Sequence, residues 1–97
     1  MYHLTPAARS DLGEIWDFSA RQWSPARADQ YILSIRDACR GLDDGSRQGR
    51  PIDDIRPGYL KLAVQSHFLF YRRDEDGTIQ IVRILHQRMD VPARLND

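Results

Sequence analysis

Two imidazoles, several guanidinium groups and one ammonium are the side chains here with the charge and reach to act on an anionic partner. They fall late in the chain: Lys61, His67, Arg72, Arg83, His86 and Arg88. Of these, Lys61, Arg72, Arg83, His86 and Arg88 are the candidates for contacting a target, because they can supply positive charge to a phosphate or carboxylate. Cutting a phosphodiester asks for more. One group must activate the 2′-OH, another must protonate the leaving oxygen, and the phosphate charge must be held. No imidazole follows His86 and no partner for it is evident, while no Tyr follows Tyr71. Two His, an Arg and an Asp without ligand spacing make no metal site. Cys39 is the only Cys, so neither an internal disulfide nor a Cys-based zinc site is available.

Each of these groups also has a purely structural reading. His86 closes an apolar strand and could hydrogen-bond the backbone there; His67 begins a strand beside a turn. Arg83 lies in a strand otherwise built for burial, so it needs a counter-charge, from Asp90, Glu14 or another carboxylate. Asp90 could cap a final helical turn. Arg88 lies past the strand end, either in contact with a target or solvated. Trp16 and Trp23 read as core, with the alternative that one of them lies partly open in a groove.

The strand that carries these groups is the run from Ile79 to Leu85, apolar except at Gln80 and Arg83. Alternation puts Ile79, Ile81, Arg83 and Leu85 on one face and Gln80, Val82 and Ile84 on the other. A strand apolar on both sides belongs inside a sheet, covered on both faces. Upstream, Tyr2 to Leu4 reads as a short extended start. Thr5-Pro6 and Ser24-Pro25 each read as an N-cap followed by proline in the first helical turn. The first helix shows an apolar face of Ala8, Leu12, Ile15, Trp16 and Trp23, with Arg9, Asp11, Glu14, Asp17 and Arg21 mostly off it. The second carries Ala28, Tyr31, Ile32, Ile35, Cys39 and Leu42 at helical spacing, with Gly41 and Gly45 as stop signals. So short a connection makes the two helices an antiparallel hairpin. Asp43 to Pro57 reads as a loop. Gly58 to Val64 and His67 to Arg73 alternate as strands, and Asp74-Glu75-Asp76-Gly77 supplies a hairpin turn. The expected fold is α+β, in the order β-α-α-β-β-β: a helical hairpin on one face of a mainly antiparallel sheet, the other face partly open. A last helical turn is expected over residues 90–95.

Ninety-seven residues make one domain, 1–97, and 41% hydrophobic residues suffice for a core. With 14 basic and 14 acidic residues the net charge is zero, which argues against wholesale electrostatic binding to nucleic acid while allowing a local basic patch. Lys61 is the only Lys; the other cations are Arg. No signal-type or membrane-spanning apolar run is visible, and a reducing cytoplasm is the default expectation.

Against this background the chain resembles the ParE toxins of type II toxin–antitoxin modules, within the wider RelE/ParE superfamily. The likeness runs from Tyr2 to Leu95. It rests on Asp11-Leu12 with Ile15-Trp16, on Ala28 with Tyr31, and on Gly49-Arg50-Pro51. It continues through Arg56-Pro57-Gly58-Tyr59, then His67 and Phe70-Tyr71-Arg72. The most specific part is Ile81-Val82-Arg83-Ile84-Leu85-His86-Gln87-Arg88-Met89-Asp90.

The resemblance implies a small cytoplasmic bacterial toxin without a cofactor, neutralised in a hetero-oligomer by a ParD-like antitoxin. The antitoxin's tail would lay a helix beside the helical hairpin, where Trp16, Trp23, Tyr31 and Ile35 are the candidates to meet it. It implies DNA gyrase as the target, poisoned by binding and without sequence-specific contact to nucleic acid. The superfamily's other branch implies the alternative, a RelE-like ribosome-dependent mRNA interferase. A third possibility is an antitoxin-binding module that has lost toxicity. One departure stands out: where the family often has Arg-Arg at the start of the first meander strand, this chain has Leu60-Lys61, one basic group instead of two.

Overall fold

The computed structural model describes residues 1–89 and residue 95. Strand β1 (Tyr2–Leu4) leads into helices α1 (Pro6–Gln22) and α2 (Pro25–Asp44), then strands β2 (Arg50–Pro51), β3 (Leu60–Val64), β4 (His67–Arg73) and β5 (Ile79–His86). The five strands form one sheet in the order β1-β5-β4-β3-β2. The first strand runs parallel to β5 and the remaining pairs are antiparallel. The expected β-α-α-β-β-β order is present, with β5 inside the sheet.

Both helices begin as their sequences dictate. The Thr5 hydroxyl accepts the Ala8 N–H at 3.2 Å, and the Ser24 hydroxyl accepts the Arg27 N–H at 3.1 Å. Proline follows each cap, where its missing N–H costs nothing. Gly45 ends α2 at φ 82°, in the left-handed region that a Cβ disfavours, whereas Gly41, also read as a stop signal, lies inside the helix. One apolar layer lies between helices and sheet, built from Ile15, Ile35, Leu42, Leu69, Tyr71 and Ile81 among others. A second, smaller cluster on the far face joins Ile52, Phe70, Leu85 and Leu95. That face is therefore closed over Phe70 and Leu85.

Four expectations need correction. Ile79, Ile81 and Ile84 share the helix-side core while Leu85 belongs to the far-side cluster, so strict alternation fails along β5. The reason is a register shift: Tyr71 pairs with Ile81 and Phe70 with Arg83, leaving Val82 without a partner on β4. One inserted residue exchanges the faces beyond it. Second, the loop expected from Asp43 to Pro57 contains a strand: Arg50 and Pro51 pair with Lys61 and Leu60. Third, Asp11 is not off the buried face of α1 but 7% exposed. Its position, three residues after Ala8 and four before Ile15, is a core position of that helix. Fourth, Trp23 is not core; it is 52% exposed, at the very end of α1. The final helical turn and the cap by Asp90 lie outside the described residues, Leu95 excepted.

Tyr71 shows how the short β2 is held. Its phenol is buried and accepts the Gly49 N–H at 2.8 Å. A Cβ on Gly49 would stand 2.5 Å from the Lys61 carbonyl oxygen and 2.6 Å from the Tyr71 hydroxyl. We expect Tyr71→Phe to lower the unfolding free energy by about 1–2 kcal/mol, the cost of an orphaned buried N–H. Gly49→Ala should cost about 1–3 kcal/mol through overpacking. Urea titration of each variant is the measurement, and unchanged midpoints would contradict the closeness of this contact.

Candidate functional site

The first strand covers the outer edge of β5 only as far as Ile81, where the Thr5 N–H reaches the Ile81 carbonyl at 3.0 Å. The Thr5 hydroxyl donates to the Val82 carbonyl at 2.7 Å. Beyond that, a carboxylate takes over. Asp11 Oδ2 accepts the Ile84 N–H at 2.9 Å and the Arg83 Nε–H at 2.8 Å, while Oδ1 accepts from Arg83 Nη2 at 2.9 Å. The pair is bidentate and largely covered, with side-chain exposures of 17% for Arg83 and 8% for Asp11. Asp11 is thus the counter-charge that sequence reasoning left open. The signal was its helical spacing, masked by its charge.

A cleft of about 590 Å³ lies between α1 and the exit of β5, lined by Glu14, Asp17, Phe18, Arg83, His86 and Met89 among others. Phe18 and Met89 are exposed there. His86 faces His67 across the β4–β5 ladder, with ring centroids 5.3 Å apart and planes at 81°. The Arg88 N–H donates to His86 Nδ1 at 3.2 Å. A neutral His86 in this arrangement carries its proton on Nε2. His67 Nδ1 lies 2.6 Å from the Tyr31 hydroxyl, which also accepts the Ser66 N–H at 3.2 Å. The phenol then has its own proton to donate to His67. Burial first, and the neighbouring His86 second, push the His67 pKa down to about 4 against the pull of Asp11. His67 is therefore neutral at physiological pH and a feeble base.

The structure brings Arg83, His86 and Arg88 together at the β5 exit and leaves Lys61 and Arg72 elsewhere. The Lys61 ammonium rides over the Phe68 ring at 4.5 Å. Arg72, five residues along β4 from His67, stands about 17 Å away and pairs with Asp74 at 3.1 Å. On the helical side, Trp16 is half-buried and its indole N–H donates to Asp29 at 2.8 Å. The Arg27 guanidinium lies 5.2 Å from the centre of the Trp23 ring. Tyr31 and Ile35 are buried in the core between helices and sheet, so neither is an exposed contact residue. Among the described residues no three His, Cys, Asp or Glu side chains converge on a point where a metal ion could sit. The Cys39 thiol is buried and pushed up to about 11, which keeps it protonated.

Two outcomes follow from this geometry. Asp11→Ala leaves a covered guanidinium and the Ile84 N–H without their shared acceptor, and should lower stability by about 2–4 kcal/mol. Combined with Arg83→Met it should cost clearly less than the sum of the single changes in a denaturation cycle. His67 sets the acid response. Between pH 6.5 and about 4 the unfolded chain takes up a proton that the folded one refuses. Stability from this group is thus intact above pH 6.5 and falls as the pH drops, at up to ~1.4 kcal/mol per pH unit. His67→Gln should flatten the curve in that window.

Comparison with known proteins agrees with the architecture. Residues 2–91 match the family model for the ParE toxin of the type II toxin–antitoxin system parDE. A Toxin ParE1 from Mycobacterium tuberculosis is 48% identical over 94 residues, spanning 97% of this chain and 96% of its own length. A Toxin ParE1 from Caulobacter vibrioides is 32% identical over 97% of this chain and 96% of its own length. Among solved structures, a chain of the chromosomal ParDE system from P. aeruginosa superposes with a TM-score of 0.75 at 25% identity, covering 88% of this chain and 92% of that one. A chain of the RelBE2 toxin–antitoxin complex from Mycobacterium tuberculosis shares the fold, with a TM-score of 0.57 at 22% identity over 90% of this chain and 96% of that one. With a family model matched over nearly its whole length and a relative almost half identical, the chain belongs to the ParE toxin family of type II toxin–antitoxin systems.

Proposed function

We propose that this ParE-type toxin acts in the cytoplasm by binding DNA gyrase and stabilising its DNA-cleaved state, and that a ParD-like antitoxin holds it inactive. The observation that carries a binding mechanism is the state of the cations at the β5 exit. Arg83 is committed to Asp11 through both carboxylate oxygens, which suits it to shaping a surface more than to following charge through a reaction. His86 uses Nδ1 for a backbone N–H, and the adjacent His67 is too weak a base for proton transfer at neutral pH. Arg88 is exposed beside them and is the group free to engage a target.

The antitoxin reading rests on the apolar part of the same cleft and the adjoining side of α1. The exposed rings of Phe18 and Trp23 mark the outer side of α1, and Ile15 and Met89 line the cleft beside it. An amphipathic helix with apolar anchors at helical spacing fits such a groove. Trp16, Tyr31 and Ile35 do not line this groove: Trp16 sits against Asp29 of α2, and Tyr31 and Ile35 lie in the core. The solved relatives that share this fold come from a ParDE system and a RelBE2 complex, which supports a protein partner here.

The test is supercoiling and cleavage by purified gyrase with the toxin added. The wild type should inhibit supercoiling and accumulate linear DNA at micromolar concentration. Arg88→Ala and His86→Ala should each weaken inhibition about tenfold with little change in melting temperature. No inhibition and no linear DNA would refute the gyrase reading. Codon-linked cuts in translated messages, seen by primer extension, would point to a RelE-like interferase instead. Unchanged growth on expression without the antitoxin would mark a module that has lost toxicity.

A further inference from the structure

The far face of the sheet carries cations that the preceding reading does not use. Arg50 on β2 and Lys61 on β3 are directly opposite each other in the antiparallel register. Opposed residues share a face with their Cβ atoms about 5 Å apart, and like charges placed so destabilise the pair. Among the described residues neither side chain has a carboxylate partner or a hydrogen bond; Lys61 has only the Phe68 ring. Arg72 extends the row. Lys61 pairs with Phe70, and Arg72 lies two residues further along β4 on the same side as Phe68 and Phe70. That diagonal is about 7–8 Å. Arg72 is bound to Asp74, but through an ion pair with side-chain exposures of 47% and 33%, weak enough to exchange. Beside the first two cations lies a depression of about 390 Å³, lined by Gln48, Gly49, Arg50, Lys61 and Phe68 among others. Gln48 adds an amide donor, and no Asp or Glu lines it.

We infer that Arg50, Lys61 and Arg72 form a track for the phosphodiester backbone of DNA, bound without regard to sequence. Two repelling cations held side by side with no internal carboxylate are stabilised by an external anion shared between them. A third cation a further pleat along calls for a ligand whose negative charges repeat, which a lone carboxylate does not offer. Lys61 already covers one side of the Phe68 ring, which favours a ligand bound by its charge over one bound by base stacking. Net neutrality of the chain is no obstacle, since the row is local and the site reads charge alone. The inference stands apart from the gyrase proposal, because it concerns the toxin and DNA with no third component.

The experiment is fluorescence anisotropy of a labelled 20-base-pair duplex with the full-length protein, from about 50 to 200 mM salt. Log affinity should fall against log salt with a slope of about 2–3, close to 0.9 per neutralised phosphate. Arg50→Gln and Lys61→Ala should each weaken binding about 3–10-fold and reduce the slope by about one. Arg21→Gln, on the helical side, should change neither. Thermal melts establish that each variant is folded. Slopes unchanged in Arg50→Gln and Lys61→Ala would overturn the inference. So would an equal loss from Arg21→Gln, or labelled polyglutamate of matched charge binding as tightly as the duplex. The gyrase assay is independent of all of these results.

Discussion

A parallel edge strand only three residues long leaves most of its neighbour's edge uncovered, and the Asp11 carboxylate resolves that problem. Where β1 ends, β5 still presents the Ile84 N–H, and a buried donor without an acceptor is costly. Asp11 reaches over from α1 to take that hydrogen bond and the Arg83 guanidinium together. The same interaction fixes where α1 lies on the sheet, blunts an edge open to unwanted pairing, and sets the direction of Arg83 at the mouth of the cleft. A neutral acceptor at this position would satisfy the backbone but give up the bidentate charge pair with the guanidinium. Charge and geometry must therefore be met by one side chain, and removing either partner exposes the other's cost.

The bulge at Val82 acts with that constraint. Before it, Ile79 and Ile81 face the helices; after it, Ile84 does, and Leu85 turns to Phe70 and Ile52 on the far side. A strand without the extra residue would send Leu85 under the helices and Ile84 away from them. The bulge falls at the level where β1 stops pairing and Asp11 begins. The change of face and the change of edge partner thus coincide, and bulges commonly re-aim side chains in this way.

Features set by neighbours in sequence could be read from the chain, and features set by distant pairing could not. The Thr5-Pro6 and Ser24-Pro25 helix starts, the stripe of α2 and the alternation of β3 and β4 depend on residues a few positions apart, and all are present. The Val82 bulge leaves no trace in a strand apolar on both sides, because there is no polar alternation for it to interrupt. The strand at Arg50-Pro51 is two residues long in a Gly- and Pro-rich stretch; only the opposing β3 makes it a strand. Asp11 occupies a core position by spacing, but its charge argues for the surface, because carboxylates are seldom buried. The need for a counter-charge on Arg83 was legible; its identity was not, because a contact 72 residues away has no local signature. Trp23 was assigned to the core by its place in the helical period, yet that period ends with the helix and carries no information about a residue at its terminus.

A net charge of zero also conceals how the two signs are used. The Asp29, Asp44, Asp53 and Asp76 carboxylates accept hydrogen bonds from an indole or from backbone N–H groups at helix ends and turns, and Asp11 serves the β5 edge. Asp43 meets the amino group of Met1. Much of the acidic complement is thus committed to shaping the chain. Carboxylates suit that work, since each offers two acceptor oxygens to a backbone rich in unsatisfied donors at turns. Some cations are committed as well, Arg83 to Asp11, Arg72 to Asp74 and Arg56 to the Leu95 carbonyl, while Arg50 keeps no such partner among the described residues. A balanced composition thus still leaves room for a local pair of cations, Arg50 opposite Lys61 on the far face.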